Sequence, residues 1–175
     1  MVDRQKSGRL LRKEGQVRVK RGLFYVLFIV TWIILFRTFL LGSYIVDGRS
    51  MEPTLKNGER AVVNIVADLV RPLKSGDIIF FRMNNETYVK RIAAAPGDYM
   101  MLHQGYLYVN GERFSDQQVD YSKLTTISDP VIPEKCYIVL GDNLKDSVDS
   151  RAYGCIAERD IMGKVIGHFD FKLNE

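Results

Sequence analysis

The chain has 175 residues, 46% hydrophobic and 26% charged, a balance that argues against disorder and fits one compact domain with attachments. Its net charge of +4 is unevenly placed: residues 1–21 hold eight of the 25 basic and two of the 21 acidic residues, leaving 17 basic against 19 acidic beyond. The basic character therefore belongs to a tail, which argues against a nucleic-acid-binding domain.

Behind that tail comes GLFYVLFIVTWIILFRTFLL, residues 22–41, apolar but for Thr31, Arg37 and Thr38. Twenty helical residues span roughly 30 Å, the depth of a hydrocarbon core. Arg37 lies near one end, where its long side chain can snorkel to the interface. A cleaved signal peptide has a shorter apolar region and a small-residue site after it, so the stretch reads as an uncleaved transmembrane anchor. Basic residues before it place the N-terminus in the cytoplasm and residues 42–175 outside, in contact with membrane lipid at the anchor. On that side Cys136 and Cys155 are free to form a disulfide, although their spacing does not show that they meet.

Beyond the anchor the sequence breaks into short runs rich in Val, Ile, Tyr and Phe, among them RAVVNIV, DIIFFR, TYVKRIAAA and CYIVL. Turn chemistry such as KNGE, KSGD, APGD and VNGE separates them, and Asn110-Gly111 suits a two-residue type I′ hairpin. No sustained 3.6-residue stripe follows the anchor. The fold class expected is mainly β, an all-β domain of packed antiparallel sheets or a barrel over 42–175, with 112–134 as a peripheral excursion.

The chemistry-bearing residues fall in three stretches. In GRSMEPTL, Ser50 is either a turn residue or a nucleophile in need of a base. The two histidines, His103 at a strand end and His168 near the C-terminus, read as surface or satisfied strand residues. In TYVKRIAAA, alternation puts Lys90 on the face of Tyr88 and Ile92, with Arg91 on the other. If that face is buried, desolvation lowers the lysine pKa and frees a neutral amine to accept a serine proton; if it is an edge, Lys90 simply points at water. GDNLKDSVDSRAYG packs Asp142, Asn143, Asp146, Ser147, Asp149, Ser150 and Arg151 into one loop. It reads equally as a solvated turn or as a shell of hydroxyls and carboxylates that orients a lysine and pairs arginines. Nothing in the chain has metal-ligand spacing, and no cofactor is expected.

With the anchor, these three stretches in this order resemble bacterial type I signal peptidases, in the single-span form of Gram-positive members. The resemblance implies a membrane-bound serine endopeptidase with a mostly β catalytic fold, acting on exported preproteins bound as an extended strand and cut after small residues in an A-x-A-like pattern. It implies Ser50 as nucleophile, Lys90 as general base, and Ser147 hydrogen-bonded to Lys90. It further implies Asp149 with Arg151 and Asp142 with Arg91 as supporting pairs, and Met51 and Pro53 as parts of the turn that presents the serine. Some members carry a serine where this chain has Gly48, so the oxyanion is left to backbone donors, chiefly the Ser50 N–H. Two alternatives share parts of the pattern: a non-catalytic assembly factor of the pilus-biogenesis type, which could dispense with Ser50 or Lys90, and a self-cleaving Ser/Lys protease, which would carry a DNA-binding module.

Overall fold

The computed structural model describes residues 22–35, 41–66, 72–118 and 130–170. The chain divides into two compact units, Met1–Leu40 and Leu41–Glu175. In the first, residues 22–35 form a helix (α1) with exposed side chains. Phe24, Phe28 and Trp32 follow one another along it at ring separations of 6.4 and 6.2 Å, the neighbour relation of residues four apart. Among the described residues no helix is long and apolar enough to cross a membrane. The rest of the expected span, 36–40, and the basic tail lie outside the described residues. Leu41, which the apolar run assigns to the anchor, instead opens the first strand of the second unit.

The second unit is mainly β, as its runs of branched and aromatic residues require. Its strands are β1 (Leu41–Ile45), β2 (Arg60–Asn64), β3 (Ile78–Met83), β4 (Glu86–Ala94), β5 (Met100–His103), β6 (Tyr106–Val109), β7 (Glu112–Arg113), β8 (Cys136–Leu140), β9 (Ile156–Ala157) and β10 (Ile161–Phe169). A short helix, α2, covers Ser150–Tyr153. One antiparallel sheet has the order β1-β2-β10-β3-β4-β8-β9, and a smaller one the order β5-β6-β7. Among the described residues the larger sheet does not close through hydrogen bonds; β1 and β9 are its edges.

Three tight hairpins turn through residue pairs with positive φ: Asn84-Asn85, Gln104-Gly105 and the expected Asn110-Gly111. Their registers, Met83↔Glu86, His103↔Tyr106 and Val109↔Glu112, leave two residues in each loop. Of the segment expected as an excursion, Glu112–Arg113 is strand β7, 119–129 lies outside the described residues, and Val131 returns to bridge Tyr99.

The core comprises three apolar clusters. One gathers Met51, Leu55, Val46, Ala61, Val63, Phe80 and Val89 beneath the segment around Ser50. A second holds Ile79, Phe81, Ile92, Tyr137, Val139 and Ile156 on the other side of β3 and β4. The third packs Leu107, Val109 and Ile132 of the smaller sheet's side against Ala93, Ala94, Ile138 and Leu140. Cys136 at the start of β8 is disulfide-bonded to Cys155, with Cα atoms 5.5 Å apart, so the bond closes the loop that carries Asp142 to Arg151. His168 Nδ1 lies 3.0 Å from Glu59 Oε2, a satisfied strand histidine as expected.

Candidate active site

Ser50 sits at the head of a turn whose anchors are apolar. Met51 and Leu55 are fully buried, and the Leu55 N–H donates to the Met51 carbonyl at 2.9 Å. Gly48 enters this turn at φ +96°, a conformation that disfavours any side chain, and its N–H donates to Asn57 Oδ1 at 2.9 Å. The Ser50 carbonyl accepts from the Asn143 N–H at 2.9 Å. Among the described residues the Ser50 N–H has no protein acceptor.

Lys90 reaches the serine from β4. Its register partner is the fully buried Ile79, and Lys90 itself is only 4% exposed, which settles the face it occupies. Lys90 Nζ lies 2.7 Å from Ser50 Oγ and donates to the Val89 carbonyl at 3.0 Å. Burial pulls its pKa down from the ordinary lysine range to about 8, and the Asp149 carboxylate opposes that fall. An amine with this pKa is about one-tenth neutral at pH 7 and half neutral at pH 8, whereas a solvated lysine is almost wholly protonated at both.

Asp149 is the charged centre of the loop after β8. Fully buried, it caps α2, and its two oxygens accept from Gly141 N, Ser147 Oγ and Arg151 N, Nε and Nη2 at 2.8–3.2 Å. Arg151 continues to the carbonyls of Leu144 and Ser147 at 2.7 and 3.1 Å. A buried carboxylate tolerates its surroundings only when so many donors and a cation satisfy it. The resemblance implied a hydrogen bond from Ser147 to Lys90. In the structure the Ser147 hydroxyl donates to Asp149 Oδ2 at 2.8 Å, and the two hydrogen bonds of the amine go elsewhere. Serine and lysine thus share Asp149, one by hydrogen bond and one through its field.

Arg91, on the opposite face of β4 from Lys90, makes the expected pair with Asp142: Nε and Nη2 donate to the two carboxylate oxygens at 2.8 and 2.6 Å. It also donates to Thr54 Oγ1 at 3.3 Å and to the Gly76 carbonyl at 2.8 Å. One guanidinium therefore ties the serine's turn, the loop after β8 and the turn before β3 together. Sequence reasoning named Arg91, Asp142, Asp149 and Arg151, and Asn143 among the polar residues of the same loop, but missed two contributors. Gly141 is one: a Cβ there would overlap both Ser147 Oγ and the Ser50 carbonyl oxygen, so the two halves of the site meet over a bare backbone. Thr54, the other, stands in the quoted serine motif; its proximity to named residues was the available signal.

The pair opens onto a cleft of about 150 Å³ lined by Tyr44, Val46, Asp47, Tyr88 and Val89 with Ser50 and Lys90. Among the described residues both long walls are free strand edges: β1 pairs with β2 alone, and β8 reaches β4 only at Arg91–Ala94, leaving residues 87–90 open on that side. Val46 spends both backbone groups on Glu59 and Gly58, so alternation turns those of Ile45 and Asp47 to the open side. Neither histidine lines this cleft.

Comparison with known proteins gives one family. The profile described as "Signal peptidase, peptidase S26" matches residues 19–169. Signal peptidase IB of Staphylococcus aureus (strain MRSA252) is 38% identical over 83% of this chain and 89% of its own. Signal peptidase I of Bacillus amyloliquefaciens is 37% identical over 79% and 80%. Among solved structures, a signal peptidase I from Enterococcus faecalis V583 is 28% identical and covers 53% of this chain and 96% of its own, with a TM-score of 0.44.

Proposed function

The chain belongs to the signal peptidase family, peptidase S26, and from that premise we propose that it removes the N-terminal signal peptides of exported preproteins, as a serine endopeptidase with Ser50 as nucleophile and Lys90 as general base. The observation that carries this reading is the 2.7 Å approach of Lys90 Nζ to Ser50 Oγ at the floor of an open cleft.

The preprotein's cleavage region lies extended in that cleft as an added strand, with its backbone paired to the free edges of the segments around Ile45–Asp47 and Thr87–Val89. Side chains that turn inward meet Tyr44, Val46 and Val89, and a cleft this small admits only small ones, hence an A-x-A-like preference. Neutral Lys90 takes the Ser50 proton as the hydroxyl oxygen attacks the scissile carbonyl. The oxyanion forms against the unpartnered Ser50 N–H. Lys90 passes its proton to the leaving amine, then activates the water that hydrolyses the acyl-enzyme. Ser147 acts on Lys90 through Asp149: its hydroxyl fixes the carboxylate whose field keeps the amine's pKa from falling further. No metal or cofactor enters these steps. The apolar stretch 22–40 anchors the enzyme in the plasma membrane as a single span, basic tail in the cytoplasm and catalytic unit outside. Ser50 follows that stretch by ten residues, a short tether that suits a substrate whose apolar segment is still in the bilayer.

The test is cleavage of a preprotein by the wild type beside Ser50→Ala and Lys90→Met. Both variants are expected to lose at least ~10³-fold in rate while keeping the wild-type circular dichroism spectrum. Full activity in either one overturns the dyad.

A further inference from the structure

The cleft carries a charge that the chemistry above does not use. Asp47 lines it three residues before the nucleophile, and its side chain is exposed. Among the described residues no basic group comes within ion-pair distance of its carboxylate. A second carboxylate stands by the facing wall: Glu86 Oε2 accepts from the hydroxyl of Tyr88, itself a lining residue, at 2.6 Å. The other lining residues, Lys90 apart, are uncharged.

Strand geometry says which substrate residue meets Asp47. Tyr44 and Val46 turn inward: Tyr44 stacks on Phe80 at 4.9 Å and Val46 is 1% exposed. Ile45 and Asp47 turn the opposite way, and Ile45 is 61% exposed. A strand laid along this edge shares its two faces. The small residues on either side of the middle position go inward with Tyr44 and Val46, and the middle residue rises on the face of Ile45 and Asp47. Resting on the signal-peptidase reading above, we infer that Asp47 determines the charge preference for that middle residue, favouring a cationic side chain over an anionic one. The apolar remainder of the position, Ile45, accepts the aliphatic stem of a lysine while its ammonium meets the carboxylate.

The test uses three peptide substrates that differ only in the middle residue, Lys, Gln or Glu, between two alanines. They are cut by the full-length wild type, Asp47→Asn and Asp47→Lys in detergent at low and high salt. The readout is the ratio of kcat/KM among peptides within each enzyme, so loss of overall rate in a variant does not enter. The wild type is expected to prefer Lys over Glu by about two- to fivefold at low salt, the scale of a cross-strand charge pair. That preference shrinks at high salt, is flattened in Asp47→Asn and is inverted in Asp47→Lys. Equal ratios in the wild type and Asp47→Asn overturn the inference while leaving the peptidase reading intact. Failure of the wild type to cut any of the three peptides, or a longer preprotein, overturns the peptidase reading itself.

Discussion

The turn that carries Ser50 and the loop that surrounds Asp149 meet at Gly141, yet they are held in opposite ways. The serine's turn rests on apolar side chains, Met51 and Leu55 at 0% exposure, and on backbone hydrogen bonds around a glycine with positive φ. The lysine's side rests on charge: five donors converge on one buried carboxylate, and that carboxylate's field acts on an amine that burial has pushed toward neutrality. A nucleophile needs position, which close packing supplies. A lysine base needs position and a particular proton affinity, and the second comes from balancing desolvation against a nearby negative charge.

That contrast can be broken from either side. The largest effect is expected from Arg151→Met, which leaves Asp149 buried without its cation and is expected to cost about 3–5 kcal/mol in chemical denaturation. A loss below about 1 kcal/mol would mean that the loop does not depend on this pair. Met51→Ala attacks the other half by opening a cavity, at about 2–5 kcal/mol. Its cost should be insensitive to salt, and a cost that changes with ionic strength would remove the distinction between the halves. Ser147→Ala is expected to leave the fold alone and lower the rate about 10- to 100-fold, the usual range for a residue that orients a catalytic group through another. An unchanged rate would separate Ser147 from Lys90 altogether.

Much of this was legible in the sequence where local rules decide. Asn110-Gly111 declared its hairpin, and alternation along TYVKRIAAA put Lys90 and Arg91 on opposite faces. The density of short polar residues after CYIVL marked the loop that gathers around Asp149, whose charge acts on Lys90. What the sequence withheld depends on contacts between distant segments. Whether Lys90 faced core or water was open until its partner strand was known to bring Ile79 beside it. The sequence could not show that the Ser147 hydroxyl donates to Asp149, a buried carboxylate two residues away. Gly48 looked like a missing hydroxyl, but its φ of +96° gives a backbone reason for glycine at that point. Leu41 passed for the end of an apolar span because a strand's first residue and an anchor's last are equally hydrophobic. The open edges that form the cleft follow from the order β1-β2-β10-β3-β4-β8-β9, which no local pattern encodes.

The account turns on a neutral lysine, and the pH dependence of kcat/KM for one preprotein peptide tests it most directly. Only the deprotonated amine can take the serine proton, so the rate should rise about tenfold per unit as pH climbs toward 8 and level off above it. Asp149→Asn, by removing the charge that holds the pKa up, should move that rise to lower pH. A rate that falls from neutrality upward, or a pH-dependent rise that vanishes in His168→Asn, would contradict Lys90 as the base.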